Sequence, residues 1–233
     1  MMKRRTVLAA LSTSAVAVAG CVSGDSSGGG DERSDNGNDD DGNGETDDGN
    51  SGQPNGEWPD GSLVTHFDGE PTRPECEYES ETVEVEHNGE ITEKETAEVV
   101  PYPEPPASFT EDEITDFVKE YEEAYVRYNA VCPVDRSGHI LSVAHTVELT
   151  ETFDWYDDIH IVSMYGVRGA TGGIDSNGNL WEADMGYSGV VYAVDETGVA
   201  RADFSGAGKL EPDQFEEEAP DPVQEGELLS TFA

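Results

Sequence analysis

Residues 109–133 read FTEDEITDFVKEYEEAYVRYNAVCP, and their apolar side chains keep a strict spacing. Ile114, Phe117, Val118, Tyr121, Ala124, Tyr125 and Tyr128 recur every three or four positions, which lines them along one face of an α-helix. Glu111, Asp112, Asp116, Lys119, Glu120, Glu123 and Arg127 fall mostly on the other side. Thr110 followed by Glu113 has the pattern of a capping box, and Phe109 and Ile114 occupy the hydrophobic-staple positions around it. Glu123 and Arg127 make a favourable i,i+4 pair. Cys132-Pro133 ends the helix, because Pro lacks the N–H that the next turn needs. The aromatic stripe reads as a core face.

Beyond the helix the period changes from 3.6 to two. Leu141, Val143, Val147, Leu149 and Phe153 share one side of a predicted strand over 139–153, and further strands fit 159–168, 187–194 and 199–204. Asp175–Asn179 (DSNGN) and Asp195–Gly198 (DETG) carry hairpin-turn chemistry. Before the helix, TVEVEHNGEITE (82–93) places Asn88-Gly89 between alternating stretches, the signal of a type I′ hairpin. PYPEPP (101–106) continues neither strand nor helix, so 62–108 is expected to be an extended segment with a short hairpin. Residues 206–233 are acidic and contain Pro, and are expected to form a loose tail. The expected fold over 109–205 is α+β, with one long amphipathic helix packed on a curved antiparallel four-stranded sheet. That order of elements resembles the cystatin-like and NTF2-like architectures. The resemblance is topological, and the Gln-x-Val-x-Gly loop of cystatin inhibitors is absent.

The chain begins MMKRRTVLAALSTSAVAVAGC (1–21), a basic head before an apolar stretch that is too short to span a bilayer. Residues 1–20 therefore read as an export signal. Arg4 and Arg5 resemble a twin-arginine (Tat) signal, and Val18-Ala19-Gly20-Cys21 is similar to a lipobox, which implies acylation of Cys21. One acyl chain holds a protein marginally, whereas two anchor it stably. Residues 21–61 then form an acidic Gly/Asp/Asn linker with almost no large apolar residue, expected to be disordered for want of surface to bury. As a Gly-rich coil its ends would lie about 30–35 Å apart. No register in it supplies both the Gly at position six and the Glu at position twelve of an EF-hand loop. The arrangement resembles haloarchaeal secreted lipoproteins. It implies a protein on the extracellular face of the cell membrane with the membrane, through lipid on Cys21, as its first partner, and it carries no catalytic residues with it.

The 233 residues hold 12 Lys and Arg against 52 Asp and Glu, a formal charge of −40 with 35% hydrophobic residues. Removal of residues 1–20 takes away Lys3, Arg4 and Arg5 and no acid, so the mature charge is −43. A nucleic-acid partner is excluded, since the phosphate backbone demands a basic patch. No apolar run reaches the roughly 20 residues of a spanning helix, which excludes a polytopic membrane protein. Self-repulsion of this size destabilises a compact domain in dilute buffer. At molar salt the Debye length falls to about 3 Å and the repulsion largely vanishes, so the chain reads as halophilic.

Chemistry is sparse. Cys76 and Cys132 read most simply as a disulfide outside the cytoplasm, the alternative being two free thiols. His66, His87, His139, His145 and His160 include no His-x-x-x-His pair, and there is no Cys-x-x-Cys, so neither a metal site nor a cofactor is expected. No Gly-x-Ser-x-Gly elbow occurs, and the glycines of GVRGATGG (166–173) lack phosphate-loop spacing and read as a bend at a strand end. His145, between Val143 and Val147, is either a satisfied core residue or the polar floor of a pocket, where Asp184 or Tyr165 would assist it. Trp155, Trp181 and Tyr187 offer flat apolar faces with a polar handle, for a ligand groove or for the core. The expectation is a non-enzymatic binding module for a small ligand or envelope partner. The alternatives are an extracellular enzyme with an NTF2-like cavity and a structural envelope component.

Overall fold

A computed structural model describes residues 61–87, 89–133, 138–167, 170–184 and 186–232. The expected export signal (1–20), the linker up to residue 60, Arg4, Arg5, Cys21 and the Asn88 half of the hairpin turn lie outside the described residues. Ten strands occur among them: β1 (Thr82–His87), β2 (Glu90–Glu95), β3 (Gly138–Val143), β4 (Thr146–Phe153), β5 (His160–Val167), β6 (Ala170–Asp175), β7 (Leu180–Asp184), β8 (Tyr187–Asp195), β9 (Gly198–Phe204) and β10 (Glu227–Thr231). The long helix α1 spans Glu111–Val131. All pairing is antiparallel, in a two-stranded sheet β1-β2, a three-stranded sheet β3-β6-β7 and a five-stranded sheet β10-β9-β8-β5-β4.

The expected α+β plan of one helix on a four-stranded sheet is therefore wrong, and the molecule is mostly β. The single strand expected over 139–153 is two strands, joined by Ala144-His145, which carry the chain from the three-stranded to the five-stranded sheet. Register shifts between Ile140 and Ser142, and between Val147 and Leu149, mark a bulge on each side of that link. Bulges bend a strand and increase its twist, which is how one pass of chain serves two sheets. The same crossing recurs between β5 and β6 and between β7 and β8, so three passes build all of one sheet and part of the other. Of the glycine-rich run that read as a strand-end bend, Gly166 and Val167 end β5, and Ala170 to Gly173 open β6, the central strand of the smaller sheet.

The larger sheet is covered on both faces. Val162, Met164, Val190, Tyr192 and Val194 pack against Ile114, Phe117, Val118 and Tyr121 of α1. On the reverse, Ile161, Val191, Ala193, Ala200 and Phe204 pack against Leu63, Ala207, Phe215, Ala219 and Val223. The expected loose tail, 206–233, is not one over its described part: residues 206–232 cover one face and add β10 to the edge. Consecutive buried residues along β8 and β9 explain why, since apolar side chains pointing both ways need cover on both sides.

Helix α1 follows its stripe, with Ile114, Phe117, Val118, Tyr121 and Ala124 buried. Its acidic first turn faces the positive end of the helix dipole. The capping box does not form. Thr110 makes no side-chain cap bond, and Glu113 Oε2 instead accepts from the Ser108 N–H (2.9 Å) and hydroxyl (2.8 Å). Glu123 pairs with Arg127 at 3.1 Å. Tyr102, from the Pro-rich run, stacks on Tyr128 with ring centroids 5.2 Å apart and donates to the Pro74 carbonyl at 2.8 Å. Cys76 and Cys132 form a disulfide with Cα atoms 5.8 Å apart, tying this N-terminal segment to the C-cap of α1. Between β1 and β2, Gly89 sits at φ +81°, which only glycine adopts freely. At the start of the described chain, Leu63 is fully buried and its N–H donates to Asp195 at 2.6 Å. Asp195 also accepts from the Thr197 N–H and hydroxyl (both 2.7 Å) and the Gly198 N–H (3.1 Å).

Candidate functional site

The three-stranded sheet carries an open groove of about 770 Å³, within the range of small-ligand sites. Its floor is Gly172-Gly173 on β6, and its walls come from Leu141 and Ser142 on β3, Leu180, Trp181 and Glu182 on β7, and Lys94 and Glu95 on β2. The register sets Trp181 directly opposite Gly173. A Cβ at residue 173 would fall 2.6 Å from Trp181 Cζ2 and 2.8 Å from Cε2, so the indole lies over bare backbone that only glycine offers. Trp181 is half-buried, Leu180 is 41% exposed, and Lys94, Glu95, Ser142 and Glu182 reach solvent around the rim.

The other aromatic candidates are elsewhere. Trp155 stacks on Phe153 at 5.0 Å and joins the core on the face away from α1. Tyr187, 57% exposed, stacks on Tyr165 at 5.9 Å, and Tyr165 meets Phe215 edge-on on that same face. Of the three, Trp181 alone lines the groove.

His145 stands in the two-residue link between β3 and β4, half-buried, and not on a strand. It borders a pit of about 10 Å³ with Glu122, Val147, Met164 and Ser188 among its walls. That volume is about one water molecule. Asp184 is exposed on β7 and accepts the Gly186 N–H at 2.8 Å, outside the pit. The ring of Tyr165 packs on the far face of the sheet. Of the two residues expected to assist His145, Asp184 is not among the residues that line the pit, and Tyr165 is, with its ring packed on the far face. His145→Gln is expected to cost about 1 kcal/mol in denaturant unfolding, the scale of one hydrogen bond. A loss above about 3 kcal/mol would show that His145 holds the link between the sheets.

No family model, curated protein or solved structure matches the chain.

Beside the pit lies a buried ionic cluster outside the expectations above. Glu122 (2% exposed) receives Arg201 (5%) through Nε at 3.0 Å and Nη2 at 3.3 Å, and the fully buried Tyr192 donates its hydroxyl at 2.6 Å. Arg201 Nη1 reaches Asp203 at 2.9 Å, and the guanidinium lies 4.2 Å from the centre of the Tyr125 ring. Burial acts to lower the Arg201 pKa, but Glu122, Tyr192 and Asp203 together outweigh it and hold the guanidinium well above its ordinary value. Burial, and then the charge on Glu122, push the Tyr192 phenol well above its ordinary range. The sequence signal is an acid one residue after Tyr121 and four after Val118, inside the apolar stripe, together with the arginine of the strand VARADF. Gly172 and Gly173, the groove floor, have no such signal, because glycine marks bends and close approaches alike.

A second, acidic hollow of about 580 Å³ lies between the start of α1, β4 and residues 212–216, with Glu111, Asp112, Glu151, Asp213 and Glu216 facing Lys119. Among the described residues no three His, Cys, Asp or Glu side chains converge to hold a metal ion.

Proposed function

We propose that this chain is an exported protein held at the outer face of the cell membrane by lipid on Cys21, and that its folded part binds a ligand in the groove beside Trp181. The observation that carries the binding reading is the half-buried indole laid over Gly173 in the lining of a solvent-open groove. Binding sites pair an apolar or aromatic surface with a few placed polar groups, and here Lys94, Glu95, Ser142 and Glu182 supply the second part. The location rests on the basic head, the apolar stretch and the Cys21 context of residues 1–21. Adaptation to brine belongs to the same reading, supported by a mature charge of −43. Among the described residues no helix is long and apolar enough to cross a membrane. An enzyme built on His145 has less support, since the pit beside it, at about 10 Å³, admits no substrate.

Fractionation of cells expressing Cys21→Ser tests the anchor. The variant is expected in the medium or as uncleaved precursor, and firm membrane retention with the signal removed would overturn the anchoring. The binding reading predicts that the purified full chain is retained on isolated cell envelopes in molar KCl and that Trp181→Ala loses that retention.

A further inference from the structure

We infer that the free edge of β7 takes an extended polypeptide strand, one that alternates apolar residues beside Trp181 with basic residues beside Glu182 and Asp184. The inference rests on the binding reading above and names the class of its ligand.

Strand β7 walls the groove and is the outermost strand of its sheet. Two hydrogen bonds fix which of its backbone groups point outward. In an antiparallel pair, opposite residues alternate between those that exchange N–H···O bonds and those that do not. The Ala97 N–H donates to the Ile140 carbonyl at 2.8 Å from outside the sheet, so Ile140 is turned away from its β6 partner, Gly173. Gly173 is then bonded on its other side, to Trp181. At the hairpin turn the Asp175 N–H donates to the Asn179 carbonyl at 3.0 Å, and counting in register from there gives the same answer. Trp181 and Ala183 therefore spend their backbone groups on β6. Leu180, Glu182 and Asp184 turn theirs to the open side, where no backbone bond from another described segment reaches them. The outer edges of β3 and β10 are met by the chain itself, at Ala97 and at Thr72, whose N–H donates to the Leu228 carbonyl at 2.9 Å. Strand β7 has no such cover among the described residues, and a row of outward N–H and C=O groups is what an added strand pairs with.

The side chains decide which strand fits. Alternation puts Trp181 and Ala183 on one face of β7, and Leu180, Glu182 and Asp184 on the other. The indole leans inward over Gly173, away from the free edge, so the one bulky side chain of its face leaves the outward backbone groups uncovered. A neighbour on that face meets aromatic surface, which favours an apolar or β-branched residue. On the other face Glu182 and Asp184 are exposed, and a basic residue opposite them is favoured while an acidic one is repelled. A second copy of this chain is a poor occupant. Strand β7 laid antiparallel on itself sets Glu182 against Glu182 or Asp184, between chains of net charge −40 each. Edge charges of this kind guard against self-pairing, and the same charges select a basic strand.

The test uses the full chain in molar KCl and a short labelled peptide that alternates lysine with threonine and valine. Its controls are the same peptide with glutamate for lysine, and the lysine peptide N-methylated along its backbone, which keeps the side chains and removes the donors. The lysine peptide is expected to bind at least tenfold more tightly than either control. On binding, amide exchange at Glu182 and Asp184 should slow at least tenfold, while Trp181 and Ala183, already bonded to β6, stay as they were. Glu182→Pro removes one outward N–H and spares the bonds to β6, a position where edge strands tolerate proline. It is expected to weaken binding at least tenfold with a melting temperature close to that of wild type. Glu182→Lys should lower affinity for the lysine peptide several-fold and raise it for the glutamate peptide. Binding indifferent to N-methylation, or to the sign of the peptide's charge, would overturn the assignment. Slowed exchange at Glu182 and Asp184 in the concentrated protein alone would overturn it too, and make the occupant a second copy. If no peptide binds while retention on cell envelopes still depends on Trp181, the strand assignment falls and the binding reading stands. If that retention is also absent, or the same in wild type and Trp181→Ala, both fall.

Discussion

Glu122→Ala is expected to cost about 3–5 kcal/mol of folding stability, the range seen when one partner of a buried ion pair is removed. The reason is the geometry around Arg201. Its guanidinium is 5% exposed and spends two of its N–H donors on Glu122. Without that carboxylate it keeps Asp203 and the face of Tyr125, and the Tyr192 hydroxyl loses its acceptor within the core. Because the pair is desolvated, brine screens it far less than it screens the surface charges, so the loss should persist in molar KCl. A double replacement, Glu122→Leu with Arg201→Met, is expected to recover most of the stability, since burying a charge pair is itself costly. Denaturant unfolding of the three variants decides it. A Glu122→Ala loss below about 1 kcal/mol would mean that water reaches Arg201 through the pit beside His145.

Removing the disulfide is expected to cost about 4 kcal/mol. Cys76 and Cys132 lie 56 positions apart, and the chain-entropy model assigns a loop of that length about this much restriction of the unfolded state. The bridge also joins an extended segment to the end of α1, beside Tyr102, which stacks on Tyr128 and donates to the Pro74 carbonyl. Cys76→Ser with Cys132→Ser should therefore melt far below wild type in molar KCl, and a thiol reductant should give wild type the same shift. An unchanged melting temperature, with both thiols free in the unreduced protein, would refute the pairing.

Some of this architecture was legible in the sequence. Helix α1 was readable because seven apolar residues keep one spacing across the fifteen positions from Ile114 to Tyr128, which little else produces. The turns at Gly89 and at 175–179 were readable from Asn-Gly and its neighbours. The break at Ala144-His145 was not, because alternation continues from Val143 to Val147 across it and neither Gly nor Pro marks it. The cover on the second face was hidden for a different reason. Phe215, Ala219 and Val223 are isolated among acids, and their role appears only once Val191, Ala193 and Ala200 are seen to need a partner. Strand β10 is short and lies just beyond Pro- and Glu-rich sequence, so composition masked it. Trp181 could be named as a groove residue from its chemistry alone. Its separation from Trp155 and Tyr187 could not, since that depends on which sheet and which face each strand supplies.

The hydrogen bond from Leu63 to Asp195 has a mechanical consequence. Asp195 belongs to the turn between β8 and β9, both interior strands of the larger sheet. A pull on the N-terminal side of the domain, such as flow or contact would exert on a protein held by that end, is delivered to the middle of the sheet and not to its edges. Leu63, fully buried, must first be drawn out of the core, so the domain resists force at the end where it would be held.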